Sequence, residues 1–340
     1  MDEKFLVIQT AFPGDAILTL PFIQKLNETY NSPCIDVVCI PATAEIFSSS
    51  PYVNTAIVLD KKNRHKSFLS ILKFSLKLRQ EGYSKVFSPH RSFRSSVIVM
   101  FSGIKESTGF DTSSLSFVYK NKIKYEKSIH EIQRNLKLLG DKKEIKNWKI
   151  LPEIKTDFES VKKIDYYLKQ FNNKKLAALA PGSVWNTKIY PEEYFCEVIK
   201  FLLGREFDVV LIGGKSDKII CERILNRFST GVTSAAGKFS IVESIELLHN
   251  CELLICNDSA PTHMAMAADI PVITVYCSTV PGFGFYPYNT MSSFVSYDDL
   301  LCKPCGIHGH AKCPVKTFDC GNKLLPQQII GKIQDIVSEK

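Results

Sequence analysis

No apolar run in this chain approaches the roughly 20 residues that span a bilayer. The longest candidates, LAALA (176–180) and PVITVY (271–276), have the length of strands, which argues against an integral membrane protein. No Asp-x-Asp pair occurs, so the common way of holding a nucleotide-sugar diphosphate through a carboxylate-bound divalent metal is missing. Two nucleotide-binding glycine motifs fail as well. GGKS (213–216) has Val209 where a P-loop needs its first glycine, and PGFGFYP (281–287) ends on Pro287 where G-x-G-x-x-G needs its last. The N-terminus carries acidic residues before its first apolar stretch and no A-x-A-like cleavage site, so a cytosolic protein is expected. There is no internal repeat and no low-complexity tract.

What remains is an ordinary globular composition, with 45% hydrophobic and 23% charged residues over 340 positions. At roughly 150 residues per domain this length suggests two domains. The formal charge of +8 implies an acidic partner without choosing between nucleic acid, anionic lipid and phosphorylated small molecules. Basic residues concentrate between Lys61 and Lys143, in KKNRHK, HRSFR and YKNKIKYEK, so the two halves of the chain are expected to meet different partners.

The hydrophobic pattern is that of a parallel α/β protein. Short runs at 5–9, 35–40, 55–59 and 85–89 read as strands, separated by helical periodicity at 16–30 and 67–82 and by a segment over 120–140 that ends in a helix. The pattern restarts at Leu176 with strands LAALA, FDVVLI, CELLIC and PVITVY, and helices near 191–204, 216–228 and 260–268. The polar stretch FNNKK (171–175) is the best linker candidate. The expected domains are therefore 1–170 and 176–325, closed by a C-terminal helix over 326–340. Open α/β sheets bind ligands beyond the carboxyl ends of their strands, so the turns that follow the strands carry the candidate chemistry.

Asp15 stands in one such turn, Pro13-Gly14-Asp15, where a carboxylate serves either as a helix N-terminal partner or as a general base. Gly182 and Ser183 follow LAALA and permit close backbone approach, and Lys188 precedes a helix opened at Pro191. This lysine is either a solvated loop residue or a phosphate ligand. Asn257-Asp258-Ser259, followed by Pro261, forms a strand-to-helix turn that aims backbone N–H groups at an anion, although Asp258 and Ser259 also suit a purely structural cap. Of the eleven cysteines, seven lie singly in apolar segments. The other four, Cys302, Cys305, Cys313 and Cys320, form C-x2-C-x7-C-x6-C. That spacing permits zinc, but a reduced structural loop without metal is the expectation.

QTAFPGDAILTLP, SPHRSFRSSVIVMFSGIKESTGF, LAPGSVWNTKIYPEEYF, VVLIGGKSD, CELLICNDSAPTHMAMAADIPVITVY and the cysteine tail occur in this order. Together they resemble the bacterial ADP-heptose:lipopolysaccharide heptosyltransferases, glycosyltransferase family 9, over nearly the whole chain, and the tail is most similar to the heptosyltransferase II branch. The resemblance implies a GT-B fold of two Rossmann-like domains facing across a cleft. It implies inverting transfer from ADP-L-glycero-D-manno-heptose to the lipopolysaccharide inner core, with no metal and no cofactor. By the same resemblance Asp15 is the general base, and Gly14, Arg91 and Arg94 meet the acceptor. Lys188 holds the donor diphosphate beside Ser183 and Thr187, and Asp217 takes the place of a ribose contact. Asp258, Ser259, Ala260 and His263 match the D-[ST]-[GA]-x-x-H donor turn, with Ala260 standing where glycine is usual. The expected setting is cytoplasmic, peripheral at the inner membrane, touching an anionic membrane surface and no nucleic acid. Two readings of other classes stay open: a nucleotide-sugar epimerase of the same fold, and a basic nucleic-acid-binding protein.

Overall fold

The structure, a computed structural model, describes residues 3–140, 147–171 and 175–338. Lys143, at the end of the basic stretch, and residues 172–174 of the expected linker lie outside them. The chain divides into two compact units, Met1–Lys155 and Thr156–Lys340.

The first unit runs β1 (Lys4–Ile8), α1 (Pro13–Thr29), β2 (Cys34–Cys39), α2 (Ala44–Ser48), β3 (Thr55–Val58), α3 (Phe68–Arg79), β4 (Lys85–Ser88), α4 (Phe93–Ser102), β5 (Glu106–Phe110), β6 (Asn121–Ile123) and α5 (Glu131–Lys137). Its sheet has the order β3-β2-β1-β4-β5-β6 with all pairings parallel. Phe5, Leu6, Val7 and Ile8 of β1 are fully buried, as a central strand covered on both faces requires. Helix ends are set locally. Ser67 and Ser92 cap α3 and α4 through Ser70 N–H and Ser95 N–H, Gly103 ends α4 in the left-handed region, and His130 with Gln133 forms a capping box on α5.

The second unit runs α6 (Phe158–Leu168), β7 (Lys175–Ala180), α7 (Glu192–Leu203), β8 (Phe207–Leu211), α8 (Lys218–Leu225), β9 (Val232–Ser234), α9 (Ile241–His249), β10 (Leu253–Asn257), α10 (Ala260–Ala267), β11 (Val272–Tyr276), β12 (Ser293–Ser296), α11 (Asp319–Asn322) and α12 (Pro326–Ser338). Its sheet is β12-β11-β10-β7-β8-β9, again wholly parallel. Read from the other edge, this is the winding of the first sheet: the chain starts in the middle, fills one side, then returns to fill the other. Each sheet therefore has one switch point, between β1 and β4 and between β7 and β10, where neighbouring strands send their following segments apart and leave a crevice at their carboxyl ends.

The domain boundary differs from the sequence expectation of 170–176. Polar composition drew it there, but α6 packs with the second unit, where Lys163 pairs with Glu243 at 2.7 Å and the Tyr167 ring meets Phe239 edge-on at 5.0 Å. Nor is the C-terminal helix a separate body. Ile329, Ile333 and Ile336 of α12 share one core with Phe195, Val198 and Ile199 of α7.

Candidate functional site

In the first unit Asp15 lies in the first turn of α1, behind Pro13 at the start of the helix and half-exposed. The loop before it is pinned from three sides. The Thr19 hydroxyl donates to the Asp15 carbonyl at 2.7 Å, Gln9 Nε2 donates to that hydroxyl at 2.9 Å, and the Thr10 hydroxyl bonds His90 Nδ1 at 2.8 Å. His90, at the end of β4, is held neutral because burial, then the nearby charges of Lys61 and Arg91, push it down to about 4.

Around Asp15 the side chains form an ion network. Glu131 and Arg134 of α5 pair at 2.8 Å, the Arg134 guanidinium donates to the Tyr125 hydroxyl at 2.5 Å, and the Arg91 guanidinium lies 3.8 Å from the centre of the Tyr125 ring. Burial, with the charge of Asp15 adding to it and Arg134 and Arg91 opposing, pushes the Glu131 carboxyl up to about 7. Arg91 also reaches Thr112 at 3.3 Å. Arg94 is exposed on α4 and acts electrostatically on Lys61, whose Nζ donates to the Thr10 carbonyl at 2.7 Å. Burial, with Arg94's charge added, lowers the Lys61 amine to about 8. Lys61, Glu131, Arg134 and Tyr125 were not singled out in the sequence. Only the basic composition of the stretch hinted at the first of them.

In the second unit the switch point joins Lys188 to Asp258. Lys188, in a short 3-10 turn over Asn186–Lys188, donates to the Asp258 carboxylate at 2.6 Å and to its carbonyl at 3.1 Å. The ammonium keeps a third N–H for a ligand oxygen. The side chains are only 13% and 12% exposed, so the pair stands in a medium where charge interacts strongly. The Thr279 hydroxyl adds a 2.6 Å bond to the same carboxylate oxygen. Ser259 takes the N-cap position of α10 without a side-chain cap bond, and its hydroxyl donates to the Asn257 carbonyl at 3.2 Å. Ala260 is the first residue of α10. His263 is buried one turn in, its Nδ1 has no hydrogen-bond partner among the described residues, and burial followed by Lys188's charge holds it neutral at about 3.

Asn257, fully buried, accepts from Tyr190 N–H at 3.0 Å and donates to the Pro181 carbonyl at 2.8 Å, which fixes the 181–190 loop against β10. Asp217 turns inward: its carboxylate accepts from Gly214 N–H at 2.8 Å, and a Cβ on Gly182 would sit 2.3 Å from its Oδ1. The Asp217 side chain thus packs against two glycine turns, since a Cβ on Gly213 would also stand 2.7 Å from its Cβ. Thr187 is buried and its hydroxyl is already engaged by the main chain of His310 on both sides, accepting at 2.8 Å and donating at 3.0 Å. Ser183 Oγ accepts from Trp185 N–H at 3.4 Å.

All eleven cysteines are unbridged. Cys302 is exposed and Cys305 and Cys313 are half-exposed, while Cys320 belongs to the second core, where burial first of all pushes its thiol up to about 11. Among the described residues no three His, Cys, Asp or Glu side chains are gathered to hold a metal ion.

Two Rossmann-like units in one chain, with acidic and basic side chains gathered at both switch points, define the GT-B class of glycosyltransferase fold. The profile of glycosyltransferase family 9 (heptosyltransferase) matches residues 71–314, and the chain belongs to that family. It is a glycosyltransferase. It is 24% identical to lipooligosaccharide heptosyltransferase 2 of Campylobacter jejuni subsp. jejuni serotype O:6, across 98% of this chain and 99% of that one. It is also 24% identical to lipopolysaccharide heptosyltransferase 2 of Escherichia coli (strain K12), across 82% and 84%. The solved structure of E. coli ADP-heptose lps heptosyltransferase II superposes with a TM-score of 0.81 at 20% identity, covering 99% of both chains.

Proposed function

We propose that this chain transfers a heptose from ADP-heptose to the inner core of lipopolysaccharide by a single inverting displacement that needs no metal ion. The observation that carries this reading is the Lys188–Asp258 pair at the β7/β10 switch point, set against the N-terminus of α10. An ADP leaving group gains negative charge as its bond to the anomeric carbon breaks. A largely buried ammonium and the helix N-terminus stabilise that charge, the work a divalent metal does elsewhere. The similar E. coli enzyme is an ADP-heptose heptosyltransferase, which supports ADP-heptose as the donor.

In the step, an acceptor hydroxyl oxygen bonds the anomeric carbon from the face opposite ADP and its proton passes to Asp15. The carbon–oxygen bond to ADP breaks and its electron pair leaves with the diphosphate. Asp15 is the base, standing at the carboxyl end of β1 in a turn fixed by Thr19 and Gln9. Arg91, held flat against Tyr125, and Arg94 beside Lys61 bind carboxylates or phosphates of the acceptor, a task suited to guanidinium forks. Gly14 lets the acceptor approach the α1 N-terminus.

The acceptor is anchored in a membrane, and α3 supports contact with an anionic lipid surface. Leu69, Lys73, Leu76 and Lys77 recur at helical spacing on its exposed side, with Phe68 and Lys66 at its start and no acidic residue in the helix. Among the described residues no helix is long and apolar enough to cross a membrane. We place the protein at the cytoplasmic face of the inner membrane, without a nucleic-acid partner.

The test is transfer itself. Purified protein, ADP-heptose and a defined heptose-deficient core acceptor should yield an acceptor heavier by one heptose, with EDTA leaving the rate intact. Asp15→Asn should lower kcat by about 10²-fold or more with ADP affinity unchanged. Consumption of donor without acceptor, or activity lost on chelation and restored by magnesium, would overturn the reading.

A further inference from the structure

The cysteine-rich tail does more than close the second unit. Between Cys305 and His310 the chain crosses the loops that carry the donor-site residues and is fastened to both by main-chain contacts. Cys305 N–H donates to the Ser278 carbonyl at 2.8 Å, just before Thr279, the residue that bonds Asp258. At the other end His310 exchanges three bonds with Thr187: its N–H donates to Thr187 Oγ1, and its carbonyl accepts from both Thr187 N–H at 3.1 Å and the Thr187 hydroxyl. Thr187 is the residue directly before Lys188. The Trp185 and His308 rings stack over the same turn at 23°.

Gly309 makes this fit possible. Its φ of +79° is one that side-chain-bearing residues rarely adopt. A Cβ there would stand 2.9 Å from Ser278 Oγ, 2.9 Å from Thr187 Oγ1 and 3.4 Å from Lys188 Cγ. The strap therefore rests against the turn whose lysine faces the leaving group. A Cβ at 309 forces Thr187, Ser278 or the strap itself to shift, at the turn that carries Lys188.

We infer that residues 308–310 are a positioning strap for the donor site, in which Gly309 and the His310 main chain fix where Lys188 presents its charge and thereby set affinity for a nucleoside diphosphate. The inference rests on the reading of Lys188 as the diphosphate ligand. It assigns the tail a part in donor binding beyond the reduced structural loop expected from the sequence.

Gly306 provides the control. It lies just before the strap with φ +72°, and a Cβ there meets nothing within 4 Å. Gly306→Ala and Gly309→Ala thus share the backbone cost of a left-handed alanine, and only the second crowds the Lys188 turn. Calorimetric titration of the full-length protein with ADP should show Gly309→Ala weakened at least tenfold and Gly306→Ala within twofold of the parent. In turnover, Gly309→Ala should raise donor KM and leave acceptor KM unchanged. If Gly309→Ala does not fold, Thr187→Val, which removes the hydroxyl and keeps the shape, replaces it under the same tenfold criterion. Equal losses at 306 and 309, or ADP affinity within twofold at 309, overturn the strap. Lys188→Ala separates the two claims. Unchanged ADP binding in that variant overturns the donor reading and the strap with it, whereas a large loss there beside a normal Gly309→Ala overturns the strap alone.

Discussion

Replacing Asn257 by alanine is the most informative single perturbation of the second unit, because one buried amide there holds two segments far apart in sequence. Removing it leaves Tyr190 N–H and the Pro181 carbonyl without their partner in a region from which water is excluded. Each such group costs about 1–3 kcal/mol, roughly 2–6 kcal/mol for the two, and water entering the space left by the side chain brings the expectation to about 2–4 kcal/mol. The chain has two tryptophans, and Trp185 lies in the affected loop. In a Trp148→Phe background its fluorescence reports the second unit alone. With a urea slope of about 1–3 kcal/mol per molar, the midpoint should fall by roughly 1–2 M. ADP affinity should fall too, since the freed loop carries Lys188. A midpoint within about 0.3 M of the parent together with unchanged ADP binding would refute the claim that Asn257 clamps the loop.

Lys61, beside Arg94, adds a cation for the acceptor's anionic groups only while protonated, so acceptor binding should weaken as pH rises through about 8, the value to which burial and Arg94 depress it. The sign follows from the shift: folding disfavours the charged amine, so its protonation costs stability below about 8, and that cost fades as pH climbs toward the ordinary value of 10.5. Acceptor KM measured from pH 7 to 9.5 should rise in the parent and stay flat in Lys61→Arg, whose guanidinium remains charged; a flat parent profile would remove Lys61 from the acceptor site. In the tail, Cys320→Ser should lower the thermal midpoint by burying a hydroxyl in an apolar core, at a cost of about 1–3 kcal/mol, while Cys302→Ser should stay within about 0.5 kcal/mol of the parent. Scanning calorimetry checks both, and equal effects would show that burial does not govern these positions.

Much of the architecture was legible because parallel strands are written as short apolar runs, and those at 5–9, 35–40, 55–59 and 85–89 fall within a residue of β1, β2, β3 and β4, although the edge strand β3 is only partly covered. Asp15, Lys188 and Asp258 were legible for a related reason: each follows a recognisable strand in a turn marked by glycine or proline. What escaped depends on which strands are neighbours. Nothing local announces that Lys61, after β3, reaches the Thr10 carbonyl, or that Asn257 will meet Tyr190, because both contacts follow from sheet order. β6 was hidden inside the lysine-rich YKNKIKYEK, whose charges outweigh its single Ile123. The domain boundary was misplaced because composition marks polar segments, whereas the allegiance of α6 is decided by Glu243 and Phe239, more than 70 residues downstream.

The shared winding of the two sheets also governs when each site can come into being as the chain is made. Thr10 and His90 are 80 residues apart, and Lys188 and Asp258 are 70 apart. Each pair meets only after the fourth strand of its sheet has docked beside the first, the last long crossing before the sheet's far side is filled. A chain released up to β9 has every glycine of its 182–214 turns and its lysine, yet no carboxylate to hold that lysine. Parallel pairing over such separations forms late, because the entropy of closing a long loop is lost before any contact repays it. In each unit the residue inferred to act, Asp15 or Lys188, is made soon after the first strand, whereas the Thr10–His90 and Lys188–Asp258 contacts beside it wait for the return crossing.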